Sequence, residues 1–362
     1  MSKFLKNNAH LVFVVLGHAC NNRCIYCMQH DIVTNQINTE MNPDVIKFLD
    51  ELGSDRGEES PLRVHFFGGE PLIYFEALER IVKELTKSKN QFQFSLISNG
   101  KALTDKMVRF FNTYDVSFIL SWDGDNVMKT RKCDVLNDLA LRKRFLALKK
   151  FGIVGVACSY CYPLDFMKAC IPFAEEYYQR HGNYMGAFMD QIYDSDIADR
   201  SLFDIDYEKM YSQMKMLADC YFHPDQYEDP VLKHRLSRDF IDYIMNQIKF
   251  HVDSNGNKHN CNMCVCGNGY STYNIDLKGN LYFCHNMDTP CSTIYDPYLK
   301  YLNGILELDT TRANKSVCSE CPVYSVCRGG CPMIPKQVRE ETYCALKKAF
   351  FYPVVESLLS LE

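Results

Sequence analysis

Long hydrophobic runs are missing from this sequence. No apolar stretch approaches the roughly 20 residues that a bilayer-spanning helix needs, which excludes an integral membrane protein. An excess of positive charge is missing too. Forty Lys and Arg stand against 45 Asp and Glu, a formal net charge of −5, whereas a non-specific nucleic-acid binder needs a basic field. Neither a nucleic-acid nor a membrane partner is therefore expected. Internal repeats and low-complexity tracts are absent. An export signal is lacking as well: Lys3 and Lys6 precede the apolar run Leu11 to Leu16, and Cys20 follows. Gly17 and His18 end that run at the short limit of a signal core, so a cytoplasmic chain is expected. What is plentiful is cysteine, 18 of 362 residues. Thiols in a reducing compartment do not form disulfides as a rule, so their number points to metal binding or catalysis. An apolar fraction of 47% with 23% charged residues suits a packed core and excludes wholesale disorder.

At about 150 residues per domain the length suits two or three domains. The chain alternates short apolar strands with amphipathic helices as far as about residue 195. Leu11–Leu16, Leu62–Phe67, Phe92–Ile97, Val116–Leu120, Ile153–Ala157 and the stretch near Phe188–Ile192 read as six strands. Phe75–Leu85, Asp105–Asn112, Leu136–Lys150 and Phe166–Gln179 read as helices between them. Such alternation predicts a parallel α/β sheet, closed or partly closed as a barrel. Residues 207–251 carry apolar positions at helical spacing throughout and predict a helical bridge. Beyond about residue 255 Asn, Gly and Cys dominate, and helical signals largely vanish until Tyr343–Leu361. The expected segments are 1–206, 207–254 and 255–362.

Cys20, Cys24 and Cys27 lie in one loop directly after the first strand. Three thiolates on one loop can hold three irons of a [4Fe–4S] cluster and leave the fourth open to an outside ligand. A zinc loop short of a ligand, or thiols buried as small apolar groups, is the plainer alternative. The ends of the next strands argue against it. Gly68-Gly69-Glu70-Pro71 follows the second strand, Ser98-Asn99-Gly100 the third, and Ser121-Trp122-Asp123-Gly124 the fourth. Reactive groups of parallel barrels gather at the carboxyl ends of strands, so these four motifs converge on one mouth. Glycines permit close backbone approach to a ligand, and Glu70 can accept hydrogen bonds from an ammonium group.

The three-cysteine loop, with Tyr26 before its last cysteine, and the Gly-Gly-Glu-Pro that follows resemble the radical S-adenosylmethionine (radical SAM) superfamily over about residues 10–195. The resemblance implies a partial (β/α)6 barrel of the TIM type, and S-adenosylmethionine chelated to the open iron held by Cys20, Cys24 and Cys27. It places Gly68, Gly69 and Glu70 at the methionyl amino group, with Ser98 and Asn99 beside them, and Tyr26 near the adenine. Ser121, Asp123 and Arg131 match a pattern of the peptide-modifying branch that contacts ribose and carboxylate. The spacing from Asp123 to Arg131 is about two residues shorter than that pattern. Ile192, at the end of the sixth strand, would pack on the adenine.

Nine cysteines fall between Cys261 and Cys331, and Cys318, Cys321, Cys327 and Cys331 carry the spacing x2, x5, x3. With Cys266, Cys284 and Cys344 they resemble the SPASM domain, a C-terminal extension that carries two auxiliary [4Fe–4S] clusters. By that resemblance Cys266, Cys284, Cys331 and one further thiol hold the first auxiliary cluster, and Cys318, Cys321, Cys327 and Cys344 the second. Cys261 is the favoured missing ligand and Cys264 the alternative. A zinc ribbon also uses Cys-x2-Cys pairs, but seven or eight unequally spaced thiols suit two cubanes better. Cys133, Cys158, Cys161, Cys170, Cys220 and Cys291 are expected to be structural.

Groups for proton transfer are few. His285 follows Cys284 directly, and Asp288 is three residues further on; His285 is expected to line the cavity or hydrogen-bond cluster sulfur, with general base the lesser reading. Anaerobic sulfatase maturases, similar in motif layout, have aspartate where this chain has His285, so their reaction is not simply transferred. His65, within the second strand, reads as an interior histidine. By resemblance the chain uses three [4Fe–4S] clusters and S-adenosylmethionine to make a 5′-deoxyadenosyl radical that takes hydrogen from a peptide or protein. The leading expectation is a ribosomal-peptide maturase forming thioether or carbon–carbon crosslinks, or epimerising. A sulfatase-type maturase, or a SPASM enzyme acting on a small metabolite, is the alternative. A zinc-stabilised binding protein without catalysis is the reading from another class. The implied partners are the peptide and a reductant such as flavodoxin or ferredoxin; with only 19 residues before Cys20, leader recognition is expected from the barrel, the SPASM region or a separate leader-binding protein.

Overall fold

The computed structural model describes residues 9–54, 60–192, 199–253, 271–309, 318, 321–327, 329–331 and 342–361. Six strands run parallel in chain order: β1 Leu11–Val15, β2 Leu62–Phe67, β3 Phe92–Ser98, β4 Ser117–Ser121, β5 Phe151–Ala157 and β6 Gly186–Gln191. Parallel neighbours in chain order need crossovers of one hand, which puts the connecting helices on one face and leaves the other concave. The helix Phe75–Leu85 shows why its face is buried. Phe75, Leu78, Ile81, Val82 and Leu85 recur at helical spacing and are all buried, while Glu76 and Lys83 flank them outside. Asp105–Thr113 starts where Thr104 caps it, its hydroxyl accepting the Met107 amide at 3.3 Å. Pro163–His181 starts with proline in its first turn and ends at Gly182 in the left-handed region.

Register sorts the strand residues. Val12 pairs with Val64 and Val64 with Phe94; all three are buried in the helix layer. Their neighbours Phe13, His65 and Ser95 form the next row, on the concave face.

The sheet does not stop at β1. A seventh strand, β7 Thr272–Asp276, lies parallel to β1 on its other side. It turns at Gly279 into β8 Asn280–Tyr282, and β9 Ser292–Thr293 completes an order of β6-β5-β4-β3-β2-β1-β7-β8-β9. The turn is tied by the Asp276 carboxylate, which accepts from the Asn280 amide at 2.8 Å and the Tyr282 hydroxyl at 2.9 Å. The cysteine-rich segment thus continues the sheet that bears the Cys20–Cys27 loop.

Several expected boundaries shift. The bridge is broken rather than continuous: Tyr207–Phe222 ends before Pro224, a short helix Pro230–Lys233 follows, and Arg235–Asp253 comes after it. Prolines supply no amide to continue a helix, which is why the breaks fall there. Leu136–Lys150 shrinks to Leu139–Leu146, started by the Asp138 cap. A helix Tyr298–Asp309 stands in the region where helical signals are weak. The C-terminal helix Cys344–Leu359 packs on Tyr207–Phe222, with Ser357 donating to Asp219 at 2.6 Å and Tyr211 to Glu356.

Gly68 holds β2 against β1. Its φ is +142°, and a Cβ there would stand 2.3 Å from the Gly17 carbonyl oxygen. Gly68→Ala is expected to cost about 3 kcal/mol or more, since strain and a backbone clash combine. Gly182→Ala, with no atom within 4 Å of the new methyl, should cost only about 1 kcal/mol from its positive φ. Denaturant unfolding of anaerobically purified variants measures both, and equal costs would refute this account of Gly68.

Candidate active site

The loop carrying Cys20, Cys24 and Cys27 leaves β1 through Gly17, His18 and Ala19. Two contacts from the end of β2 clamp this exit: the amides of Gly69 and Glu70 donate to the carbonyls of Gly17 and Ala19, each at 2.9 Å. Within the loop the thiols already meet donors. The Asn22 amide reaches Cys20 Sγ at 3.4 Å, its side-chain amide reaches Cys24 Sγ at 3.4 Å, and Arg131 Nη1 lies 3.8 Å from Cys24 Sγ. Such donors suit thiolates that carry charge onto a cluster, so the donor set fits iron–sulfur ligation. Among the described residues no three His, Cys, Asp or Glu side chains close around a single ion. Burial pushes the Cys20 thiol up to about 11 and raises those of Cys24 and Cys27, with Arg131 opposing the rise at the latter two.

Glu70 is buried and turned into the protein. Its Oε1 accepts from the Leu72 amide at 3.0 Å and the Ser98 hydroxyl at 2.7 Å, and Oε2 from the Asn99 amide at 2.9 Å. The carboxylate thus braces the end of β2 to that of β3. Desolvation raises its pKa, and these three bonds oppose the rise. Asn99 reaches onward, its side-chain amide donating to Asn21 at 2.9 Å, and Lys101 binds the Asn21 carbonyl at 2.8 Å.

The densest polar node is Asp123, only 1% exposed. Its Oδ2 accepts from the Tyr26 hydroxyl at 2.6 Å, Thr130 Oγ1 at 2.6 Å and Arg131 Nε at 3.0 Å, and its Oδ1 from the Val156 amide at 2.9 Å. The Arg131 guanidinium also lies 5.1 Å from the centre of the Tyr26 ring. Burial disfavours the charge on Arg131, but Asp123, Tyr26 and Cys24 outweigh it and hold its pKa above the usual value. Tyr26, Asp123 and Arg131 are therefore brought together, but by bonding to one another. Thr130, missed in the sequence, joins them both through its hydroxyl and through its carbonyl, which accepts the Ile25 amide at 2.9 Å. Ser121 is buried at the end of β4 opposite Val154, and Ile192 is buried past β6 with its amide on the Ala157 carbonyl.

The C-terminal segment touches the same loop. Gln29 donates to the His285 carbonyl at 3.0 Å, and Asn286 lies 3.9 Å from both Met28 Sδ and Cys284 Sγ. The His285 ring stacks on Phe13 at 4.2 Å and meets Phe67 edge-on at 4.3 Å, over the concave face. Asp288 is exposed. Cys318, Cys321, Cys327 and Cys344 are electrostatic neighbours of one another, and Cys331 packs beside Cys327 and Tyr343. Cys261, Cys264 and Cys266 lie outside the described residues. Cys158, Cys161, Cys170 and Cys220 are buried, as expected of structural thiols.

An open α/β barrel with a three-cysteine loop at its mouth is the class that this fold and site define. Residues 14–132 match the radical SAM superfamily. AdoMet-bound anSMEcpe, an anaerobic sulfatase maturase, is similar in fold over 97% of this chain and 98% of its own, with a TM-score of 0.65 and 18% identity. Streptococcus suis SuiB bound to precursor peptide SuiA is similar over 92% of this chain and 76% of its own, with a TM-score of 0.59 and 13% identity. The radical SAM cyclopropyl synthase TigE of Paramaledivibacter caminithermalis is 27% identical over 128 residues, 31% of this chain and 27% of that protein. An uncharacterized protein of Methanocaldococcus jannaschii is 25% identical over 175 residues, 45% of this chain and 59% of that protein. The chain thus spans less than two thirds of the length of either curated relative. The cysteine-rich C-terminus fits a SPASM extension. Among the described residues no helix is long and apolar enough to cross a membrane.

His65 provides a pH test of this interior. It lies beside Phe13, its Nδ1 is 2.8 Å from Ser95 Oγ, and its Nε2 is buried without a partner. Burial lowers its pKa to about 4, with Arg63 adding to the shift. Above pH 6.5 the ring is neutral in both folded and unfolded chains; below it only the unfolded chain binds the proton, so stability falls as pH drops toward 4. The slope from this group is up to about 1.4 kcal/mol per pH unit. His65→Phe should remove that slope between pH 6.5 and 5 in urea unfolding, and an unchanged slope would show that His65 is not held neutral.

Proposed function

We propose that this chain is a radical SAM enzyme with two auxiliary clusters that removes hydrogen from a peptide or protein. The observation that carries the reading is the Cys20–Cys27 loop, which leaves β1 and is bonded to the end of β4 through Tyr26 and Asp123. S-adenosylmethionine and the reduced cluster, when bound, supply a hydrogen-abstracting carbon radical; that chemistry belongs to the cofactor. The protein's part is positioning and exclusion of water. Asp123 and Glu70 hold the strand ends and the loop in one arrangement, and Gly68 and Gly69 let them approach. Phe13, Phe67 and His285 form an apolar wall over the concave face, which suits a radical that must meet one C–H bond.

Burial, with His65 adding to the effect, lowers the His285 pKa to about 3, so its imidazole is neutral at working pH. It offers a proton acceptor or an apolar ring, but no charge. A ribosomal-peptide maturase is the substrate reading we favour, supported by the likeness in fold to SuiB, which was solved with a precursor peptide. The likeness in fold to anSMEcpe, solved with the Cp18Cys peptide, keeps a sulfatase-type substrate as the second reading. The reading assigns 1–206 to the radical SAM core, 207–254 to the bridge and 255–362 to the auxiliary-cluster region. A reductant of the flavodoxin or ferredoxin kind and a cytoplasmic setting belong to the same reading.

Eleven assigned cysteines correspond to about twelve irons per chain in three [4Fe–4S] clusters. Cys20→Ala, Cys24→Ala or Cys27→Ala should abolish 5′-deoxyadenosine formation. Cys284→Ala or Cys318→Ala, if soluble and with the first cluster intact, should form 5′-deoxyadenosine slowly and no modified product. Cys261→Ala should alter an auxiliary spectrum where Cys264→Ala does not. Mass spectrometry of both products decides the matter: full modified product from a variant lacking an auxiliary cluster would sink the division of labour, and a colourless zinc protein would sink the enzyme.

A further inference from the structure

Lys347 lies in the first turn of the helix Cys344–Leu359, yet it is only 9% exposed. Lysine is seldom buried without a partner for its charge. Among the described residues no carboxylate pairs with Lys347. Its ammonium stands instead over two aromatic rings, 5.1 Å from the centre of Tyr343 and 5.1 Å from that of Phe351. Those residues precede and follow it by four positions, and Cys344 precedes it by three, so all share one face of the helix. Burial lowers the pKa of Lys347, and Cys327 first, then Asp190 of β6, then Cys331 oppose that fall. Two rings in cation–π contact keep water off the ammonium and fix where it sits.

We infer that Lys347 is the fixed counter-charge of the auxiliary clusters and sets their reduction potential. The inference rests on the two-cluster reading above. Under that reading Cys327 belongs to one auxiliary cluster and Cys331 to the other, so the ammonium lies at the seam between them. A cluster gains one negative charge on reduction, and a buried cation nearby favours that state. Asp190 places the same ammonium next to the concave face of the barrel, where the substrate is expected. Removing the charge should make the clusters harder to reduce, and therefore poorer acceptors of an electron.

The test is an anaerobic redox titration followed by electron paramagnetic resonance, on the intact protein after its iron has been counted. The first cluster, marked by its spectral response to added S-adenosylmethionine, is the internal reference. In Lys347→Met the midpoint of at least one auxiliary cluster should become more negative by a factor on the order of ten in the reduction equilibrium, about 59 mV for one electron. The first cluster should not move, and Lys347→Arg should stay close to the parent protein. Unchanged auxiliary midpoints in a Lys347→Met protein of full iron content would overturn the inference. Should Lys347→Met lose auxiliary iron, Lys347→Gln takes its place. Loss of that iron in both neutral variants also overturns it, because the ammonium then serves assembly. Iron near four per chain in the parent protein would overturn the two-cluster reading itself, which separates the two failures.

Discussion

One buried carboxylate ties the mouth of this barrel together. Asp123 follows β4, yet its oxygens hold Tyr26 of the cysteine loop, Thr130 and Arg131 beyond the next turn, and the Val156 amide of β5. Water is excluded there, so each of those groups would lose a bond and find no replacement were the carboxylate absent. Arg131 is the most exposed to that loss, because a buried guanidinium without its partner is an uncompensated charge. The loop that holds Cys24 thus inherits its position from a residue about 100 positions later in the chain.

Glu70 does the same work on the other side of the loop. It joins β2 to β3 through Ser98 and Asn99, and Asn99 continues to Asn21. These two acidic residues were both legible in the sequence as groups of the barrel mouth, since each follows a strand and stands beside a glycine. Their bonding was not legible. A motif at a strand end says which residues gather, whereas the hydrogen bonds depend on register between strands far apart in sequence. That Glu70 bonds Ser98 and the Asn99 amide across the strand ends is not readable from its motif.

The six core strands were readable because their apolar runs are short and bounded by turn residues, and four of the helices between them because their apolar spacing is helical. β7 was harder. Its sequence Thr-Tyr-Asn-Ile-Asp sits in a cysteine-rich stretch, and its place beside β1 is a pairing across about 260 residues. The Asp276, Gly279 and Asn280 turn that follows was the available signal. The packing of the His285 ring on Phe13 and Phe67 was not legible, since it needs β7 and β8 to be in the sheet first. The thiols show a different limit. Burial raises the pKa of Cys20, Cys24 and Cys27, so cluster assembly must release protons as well as bind iron; the spacing of the three residues says nothing of that.

The central claim is that the Asp123–Arg131 pair fastens the cysteine loop to the barrel. A double-mutant cycle measures it most directly: Asp123→Ala, Arg131→Met and the double variant, each unfolded in denaturant under anaerobic conditions. The single changes should each cost about 3–5 kcal/mol, as when one partner of a buried pair is removed, and the double should cost clearly less than their sum. Costs that add to within about 0.5 kcal/mol would mean that the two residues act independently, and the account of how this loop is held would be wrong.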